Sequence, residues 1–235
     1  MEKEKNDVLV SRRRQRVVIY LTGSIPKGHK TTQDGDEEQL VWGQQEKADL
    51  KDILCQTLEP TFLDPTDRKD DLSDTKSIVG RDLLQVYLSD VVLVDARQRR
   101  GIGVGVEIAW AQMLGKLVVS WVPEDSHYRT TNTSILDVPV KEYLHAFLDN
   151  MSLPVFTLQN AAHAIVRYMD RSKTAKACEE FANVERMVNT MRYYMSQRFK
   201  QDTPMVHATI ENPELLERME AVTRPCRVNR LLDFS

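Results

Sequence analysis

The sequence predicts an α/β fold in which a parallel sheet carries helices on both faces. Three observations carry this. The runs at residues 17–21 and 91–94 are continuously apolar and 117–122 is broken only by Ser120, rather than alternating, as in strands buried on both sides. Stretches with helical spacing separate them, so strands and helices alternate along the chain. Gly, Pro and Asp punctuate the junctions.

Taken in order, residues 1–16 read as a polar, mobile arm whose Arg12-Arg13-Arg14 run is a solvated charge cluster or a phosphate contact. Residues 17–21 form the first strand, and Thr22-Gly23-Ser24-Ile25-Pro26-Lys27-Gly28 reads as a turn. A helix is expected over 38–57 with Leu40, Ala48, Leu50 and Leu54 inward. A strand follows at 61–63, ended by Asp64-Pro65, then an Asp-rich loop to residue 74. Asp74 is placed to cap a helix over 75–88. The third strand, 91–94, leads through the basic loop Arg97-Gln98-Arg99-Arg100 to a glycine-rich segment and a helix that Gly115 ends.

The fourth strand is expected at 117–122, a polar loop at 123–135, a helix at 138–149, a fifth strand at 154–158 and a helix at 159–169. One long helix is expected over 174–200. On it Phe181, Val184, Val188, Met191 and Met195 make a heptad-like seam, for its own domain or for a subunit contact. The chain therefore divides into an arm (1–16), an α/β domain (17–170) and a helical C-terminal extension (171–235).

Composition narrows the function classes. A formal net charge of −3 argues against a dedicated nucleic-acid binder. The three cysteines, Cys55, Cys178 and Cys226, are odd in number and far apart with no CxxC pair, which fits a reducing, cytoplasmic setting and indicates neither a zinc knuckle nor a disulfide framework. No apolar run approaches the ~20 residues that span a bilayer, and the charged start has no signal-peptide pattern. The five histidines form no metal-ligand spacing.

The chemistry concentrates at Gly103-Val104-Gly105-Val106-Glu107. A carboxylate placed where a glycine-rich turn becomes a helix stays ionised in the helix field, and the glycines admit close approach of a ligand. Such a carboxylate suits a nucleophile; equally, it can simply cap a tight loop. On residue type alone Tyr20 is a strand tyrosine at the core edge and Asp82 an exposed helix aspartate.

Together three segments resemble the nucleoside 2-deoxyribosyltransferase superfamily. They are Ile19-Tyr20-Leu21-Thr22-Gly23-Ser24-Ile25; Asp82-Leu83-Leu84 ahead of Ser89-Asp90-Val91-Val92; and Gly103–Glu107 with Ala109, Ala111 and Gly115-Lys116 following. The resemblance covers about residues 17–170. It implies a flavodoxin-like fold with a five-stranded parallel sheet. It also implies cofactor-free cleavage of the N-glycosidic bond of a nucleoside by double displacement. In it Glu107 is the nucleophile at C1′ of the sugar, Asp82 contacts the sugar or aids protonation of the base, and Tyr20 positions Glu107. A covalent glycosyl-enzyme results, as in retaining glycosidases.

For the substrate, Gly23, Ser24 and Lys27 resemble the branch that hydrolyses 2′-deoxynucleoside 5′-monophosphates, where a serine and a basic residue in this turn hold the phosphate. Gly103, Gly105 and Arg100 join them as substrate-binding candidates. The family's aspartate before the glycine-rich turn is Gly101 here, and the branch's basic residue after Ile is Pro26, which shifts that role to Lys27. The resemblance further implies a homo-oligomer with a shared site, Asn132 entering the neighbouring pocket. A sugar-accepting water and a sugar-accepting base both remain open. The rivals are a non-catalytic nucleotide sensor on the same fold and a dinucleotide-dependent enzyme using Gly101, Gly103 and Gly105, whose third glycine comes too early for that fingerprint.

Overall fold

A computed structural model describes residues 14–23, 41–69, 73–170, 188–212 and 219. Five parallel strands form the central sheet: β1 (Gln15–Thr22), β2 (Leu58–Leu63), β3 (Val91–Asp95), β4 (Leu117–Trp121) and a short last strand, β7 (Leu153–Val155). Their order is β2-β1-β3-β4-β7, the flavodoxin-like doubly wound arrangement, with its switch point between β1 and β3. All five residues of β3 are buried, which is why this strand reads as an unbroken apolar run. Pro60 and Pro154 fall on β2 and β7, the two edges, where a missing N–H costs no ladder bond on the outer side.

Helices cover both faces. On one, Ile19, Leu21, Leu93 and Val119 pack against Leu50 and Leu54 of α1 (Gln44–Leu54) and Ala161 and Ile165 of α5 (Leu158–Met169). On the other, Tyr20, Val92, Val94 and Val118 pack against Val86 of α2 (Thr75–Leu88), Val104 and Ile108 of α3 (Ile102–Met113) and Leu148 of α4 (Ala146–Met151). The alternation along β1 decides the site: residues 19 and 21 go to the first core, Tyr20 to the second.

Local chemistry sets the helix ends. Asp74 accepts from the backbone N–H of Lys76 and Ser77 at 3.0 and 3.1 Å, capping α2. Gly115, at φ 66°, closes α3: its N–H bonds the Gln112 carbonyl and the Lys116 N–H bonds the Ala111 carbonyl, a Schellman pair.

Four expectations need correction. The loop over 123–135 and helix over 138–149 are instead an antiparallel hairpin, β5 (Arg129–Ile135) and β6 (Val138–Leu144), outside the main sheet, and only α4 is helical there. Its two-residue turn, Leu136-Asp137, has φ of 49° and 63°, the primed geometry that matches strand twist. Strand β2 begins at Leu58, three residues before the apolar trio, because it pairs with β1 from Gln15 onward. The described part of α1 starts at Gln44, after Gly43. Finally, the long C-terminal helix does not run to 200: residues 188–197 are helical, a 3-10 turn follows at Phe199–Gln201, and Asp202 caps a new helix, Thr203–Glu211. Residues 1–13, and Phe181 and Val184 of the expected seam, lie outside the described residues.

Candidate active site

Tyr20 and Thr22 stand two residues apart on β1 and so point to the same side, toward α2 and α3. Glu107 of α3 comes down to meet them. The Tyr20 hydroxyl donates to Glu107 Oε1 at 2.9 Å, and the Thr22 hydroxyl donates to Glu107 Oε2. Each carboxylate oxygen thus has a donor from the strand below. This lies at the β1/β3 switch point, beyond the carboxyl ends of the strands, where ligands bind in such sheets.

Asp82 reaches the same region from α2. It is buried, not exposed as residue type suggested, and pairs with Arg68 at 3.5 Å and Arg81 at 3.7 Å. Arg81 is itself fixed by the Pro65 and Asp67 carbonyls, so the loop after β2 anchors this pair.

Electrostatics follow from burial. Burial pushes the Glu107 carboxyl up to about 7; the Asp82 charge adds to that push, while the bonds from Thr22 and Tyr20 oppose it. Burial, then the charges of Glu107 and Asp82, hold the Tyr20 phenol protonated far above its ordinary value. Tyr20 is therefore a permanent donor to a carboxylate that titrates near neutrality. Such a group can serve as a nucleophile or exchange a proton.

Glu107 does not sit at the helix start. Gly101 is the N-cap, Gly103 and Gly105 lie inside α3, and Glu107 is its sixth residue. The helix field fades within the first turn, and burial is what sets the carboxyl's charge state. The glycines are not a phosphate-cradling loop either, which removes the geometry a dinucleotide fingerprint needs.

No family model matches the chain, and no curated protein sequence matches it. Among solved structures, the chain is similar to a 2-desoxiribosyltransferase from Leishmania mexicana. The two are 16% identical, the match covers 63% of this chain and 95% of that one, and the TM-score is 0.40.

The remaining candidates divide. Gly103 lies four residues before Glu107, on the same helix face, and a Cβ there would meet nothing within 4 Å. Gly105 faces another side of α3, again into open space. Gly23 directly follows β1, where a Cβ would meet Trp42 at 3.4 Å and the Asp95 Cβ at 3.5 Å. Arg100 is not free for substrate: its side chain is 3% exposed, with Nη2 2.6 Å from Asp95 Oδ2. Asn132 is exposed on β5, across from Lys141 and apart from these bonds. Ser24 and Lys27 lie outside the described residues.

Sequence reasoning missed Thr22, although its i, i+2 relation to Tyr20 was available once the strand was placed. It also missed the clamp beside the site. Asp95, fully buried at the end of β3, is held by Arg97 at 2.9 Å and by Arg100. Arg97 continues to Glu46 at 2.7 Å and lies over the Trp121 ring at 4.5 Å. Burial works against the Arg97 charge, but Asp95 and Glu46 outweigh it and hold the guanidinium above its ordinary value. Among the described residues no cluster of three or more His, Cys, Asp or Glu side chains could hold a metal ion, and no helix is long and apolar enough to cross a membrane.

Proposed function

We propose that this chain is an enzyme that cleaves the N-glycosidic bond of a nucleoside or deoxynucleoside, or of its 5′-monophosphate. The observation that supports this best is the doubly bonded Glu107 carboxylate, with Tyr20 and Thr22 beneath it and Asp82 beside it. In its ionised form one Glu107 oxygen attacks C1′ of the sugar. The C1′–N bond breaks, its electron pair passes to the base, and the leaving base takes its proton from water; the water or second base that attacks next gives a proton back to solvent. A covalent glycosyl-Glu107 results. Water or a second base then attacks C1′ from the other side and regenerates the carboxylate, so configuration is retained overall.

Tyr20 and Thr22 orient the carboxylate and stabilise its charge. Asp82 is held by Arg68 and Arg81, and in this reading it contacts the sugar. In this reading Gly103 leaves room for the ligand above Glu107, Ser24 and Lys27 hold a 5′-phosphate, and a second copy of the chain brings Asn132 to the pocket rim. No cofactor enters the chemistry.

The test is product analysis. The protein is incubated with a panel of nucleosides and 5′-monophosphates, with and without a second free base. Free base with sugar or sugar phosphate identifies hydrolysis, and a new nucleoside identifies transfer. Tight binding with no turnover of any member would overturn the enzymatic reading in favour of a sensor.

A further inference from the structure

A groove of about 610 Å³ lies between α3 and the end of the β5–β6 hairpin. It is separate from the Glu107 carboxylate. Gly105, in its floor, is two residues from Glu107, which is about 200° around a helix of 3.6 residues per turn, and Glu107 is not part of the wall. We propose that this groove is a second small-molecule site, for a planar aromatic ring carrying an anionic group.

The ring is argued from the walls. Tyr128 and His145 meet edge to face with centroids 5.3 Å apart, and His145 tilts against Phe147 at 6.0 Å. Tyr143 adds a fourth ring to this cluster, 6.4 Å from His145. Phe147 stands 68% exposed at the rim. A stacked ligand ring would cover that apolar surface and gain the offset or edge contacts that aromatic groups favour.

The opening is argued from Gly105. A glycine inside a helix is costlier than alanine by about 1 kcal/mol. Here no protein atom needs the space, since a Cβ would meet nothing within 4 Å. What the missing side chain provides is an unfilled floor. The volume falls in the range of small-ligand sites, roughly 300–1,000 Å³.

The anion is argued from charge. Arg99 lines the groove, is exposed, and has no ion pair or hydrogen bond among the described residues, whereas Arg100 beside it is bonded to Asp95. The N-cap of α3, Gly101, also borders the groove and offers no capping side chain, so among the described residues no side chain caps the first-turn N–H groups.

The test uses full-length ¹⁵N-labelled protein titrated with phenyl phosphate, benzyl alcohol and inorganic phosphate. Phenyl phosphate is expected to move the amide signals of Gly105, Tyr128, His145 and Phe147 and to bind at least tenfold tighter than either part alone. Arg99→Ala should weaken it tenfold or more, and Gly105→Leu, which fills the floor, should abolish it. Glu107→Gln should leave it unchanged, which separates this site from the proposed catalytic one. Shifts confined to the Tyr20–Glu107 region, equal binding of inorganic phosphate, or full binding by the Arg99 variant would overturn the proposal. Arg99 is a surface position, so its variant decides the matter even where the Gly105 variant fails to fold.

Discussion

Tyr20 on β1 and Glu107 on α3 are joined by a 2.9 Å hydrogen bond between the floor of the sheet and the helix that covers it. The bond has one sense only, because the phenol stays protonated and the carboxyl is the group that titrates. Tyr20→Phe keeps the ring in the core and deletes the donor. A hydrogen bond to a charged group contributes about 1.5–3 kcal/mol, so the variant should lose roughly 10- to 100-fold in kcat/KM for glycosidic cleavage. Its pH–rate midpoint should also move up, since the ionised carboxylate loses a stabilising partner. An unshifted midpoint would show that the phenol does not act through Glu107.

On the proposed mechanism the same carboxyl sets the pH dependence of turnover by the wild-type protein. Only ionised Glu107 is a nucleophile. With its carboxyl pushed up to about 7, kcat/KM should rise about tenfold per pH unit below that value and level off above it. A rate that does not change between pH 5 and 8 would show that Glu107 is already ionised there and would contradict its raised carboxyl.

Burying that carboxyl also has a stability consequence that is independent of any reaction. Folding raises the Glu107 carboxyl from its ordinary 4.5 to about 7. Between those values the folded chain binds the proton more tightly than the unfolded chain. This contribution to stability is therefore complete below pH 4.5 and is lost as pH rises through 7. At about 1.4 kcal/mol per pH unit the effect is on the order of 3 kcal/mol. Glu107→Gln removes the buried charge and can still bond Tyr20 and Thr22. It should be more stable than wild type at pH 8, with the gap closing toward pH 5. Denaturant titrations at the two pH values would measure this, and a variant less stable at pH 8 would contradict it.

How much of this was legible beforehand depends on what each residue advertises. Strands β1, β3 and β4 announce themselves because burial on both faces forces continuous apolar runs. The Asp74 cap and the Gly115 stop are local signals and were readable as such. The β5–β6 hairpin was not. Its strands are polar and largely exposed, and its turn is Leu136-Asp137, two residues without the glycine that usually marks positive φ. Glu107 stood out in the glycine-rich segment and Tyr20 and Asp82 could be named only through the family resemblance, but Thr22 looks like any threonine before a turn. The arginines misled: Arg100 reads as a free cation until Asp95, at the end of an apolar strand, is seen to need a partner.

That need makes Arg97 a structural prediction. Asp95 is fully buried, and Arg97 supplies it with a close ion pair while tying the loop to Glu46 of α1 and to the Val41 carbonyl. Removing one partner of a buried pair is costly because the remaining charge stays desolvated. Because Arg100 still pairs with Asp95, Arg97→Ala should cost about 3 kcal/mol or less in chemical denaturation, and adding Asp95→Asn should cost less than the sum of the two single variants. Additive losses in the double variant would show that the two side chains act separately.

Gly103 offers the sharpest separation of fold from activity. Helical side chains lean toward the N-terminus, so Glu107 reaches over the turn that contains Gly103, four residues earlier on the same face. A Cβ at Gly103 would meet nothing within 4 Å, so packing gives no reason for a glycine there. Leucine is the better helix former by most of a kcal/mol, and Gly103→Leu should hold or raise the melting temperature. On the proposed mechanism its side chain would nonetheless occupy the space through which the sugar approaches the carboxylate, and turnover should fall by about 100-fold or more, as for other misplacements at a reacting centre. Gly103→Ala, with a single methyl, should fall between the two. Thermal melts and product assays on the same samples decide it: a Leu variant that melts like wild type and turns over at the wild-type rate would mean that substrate does not reach Glu107 across this face.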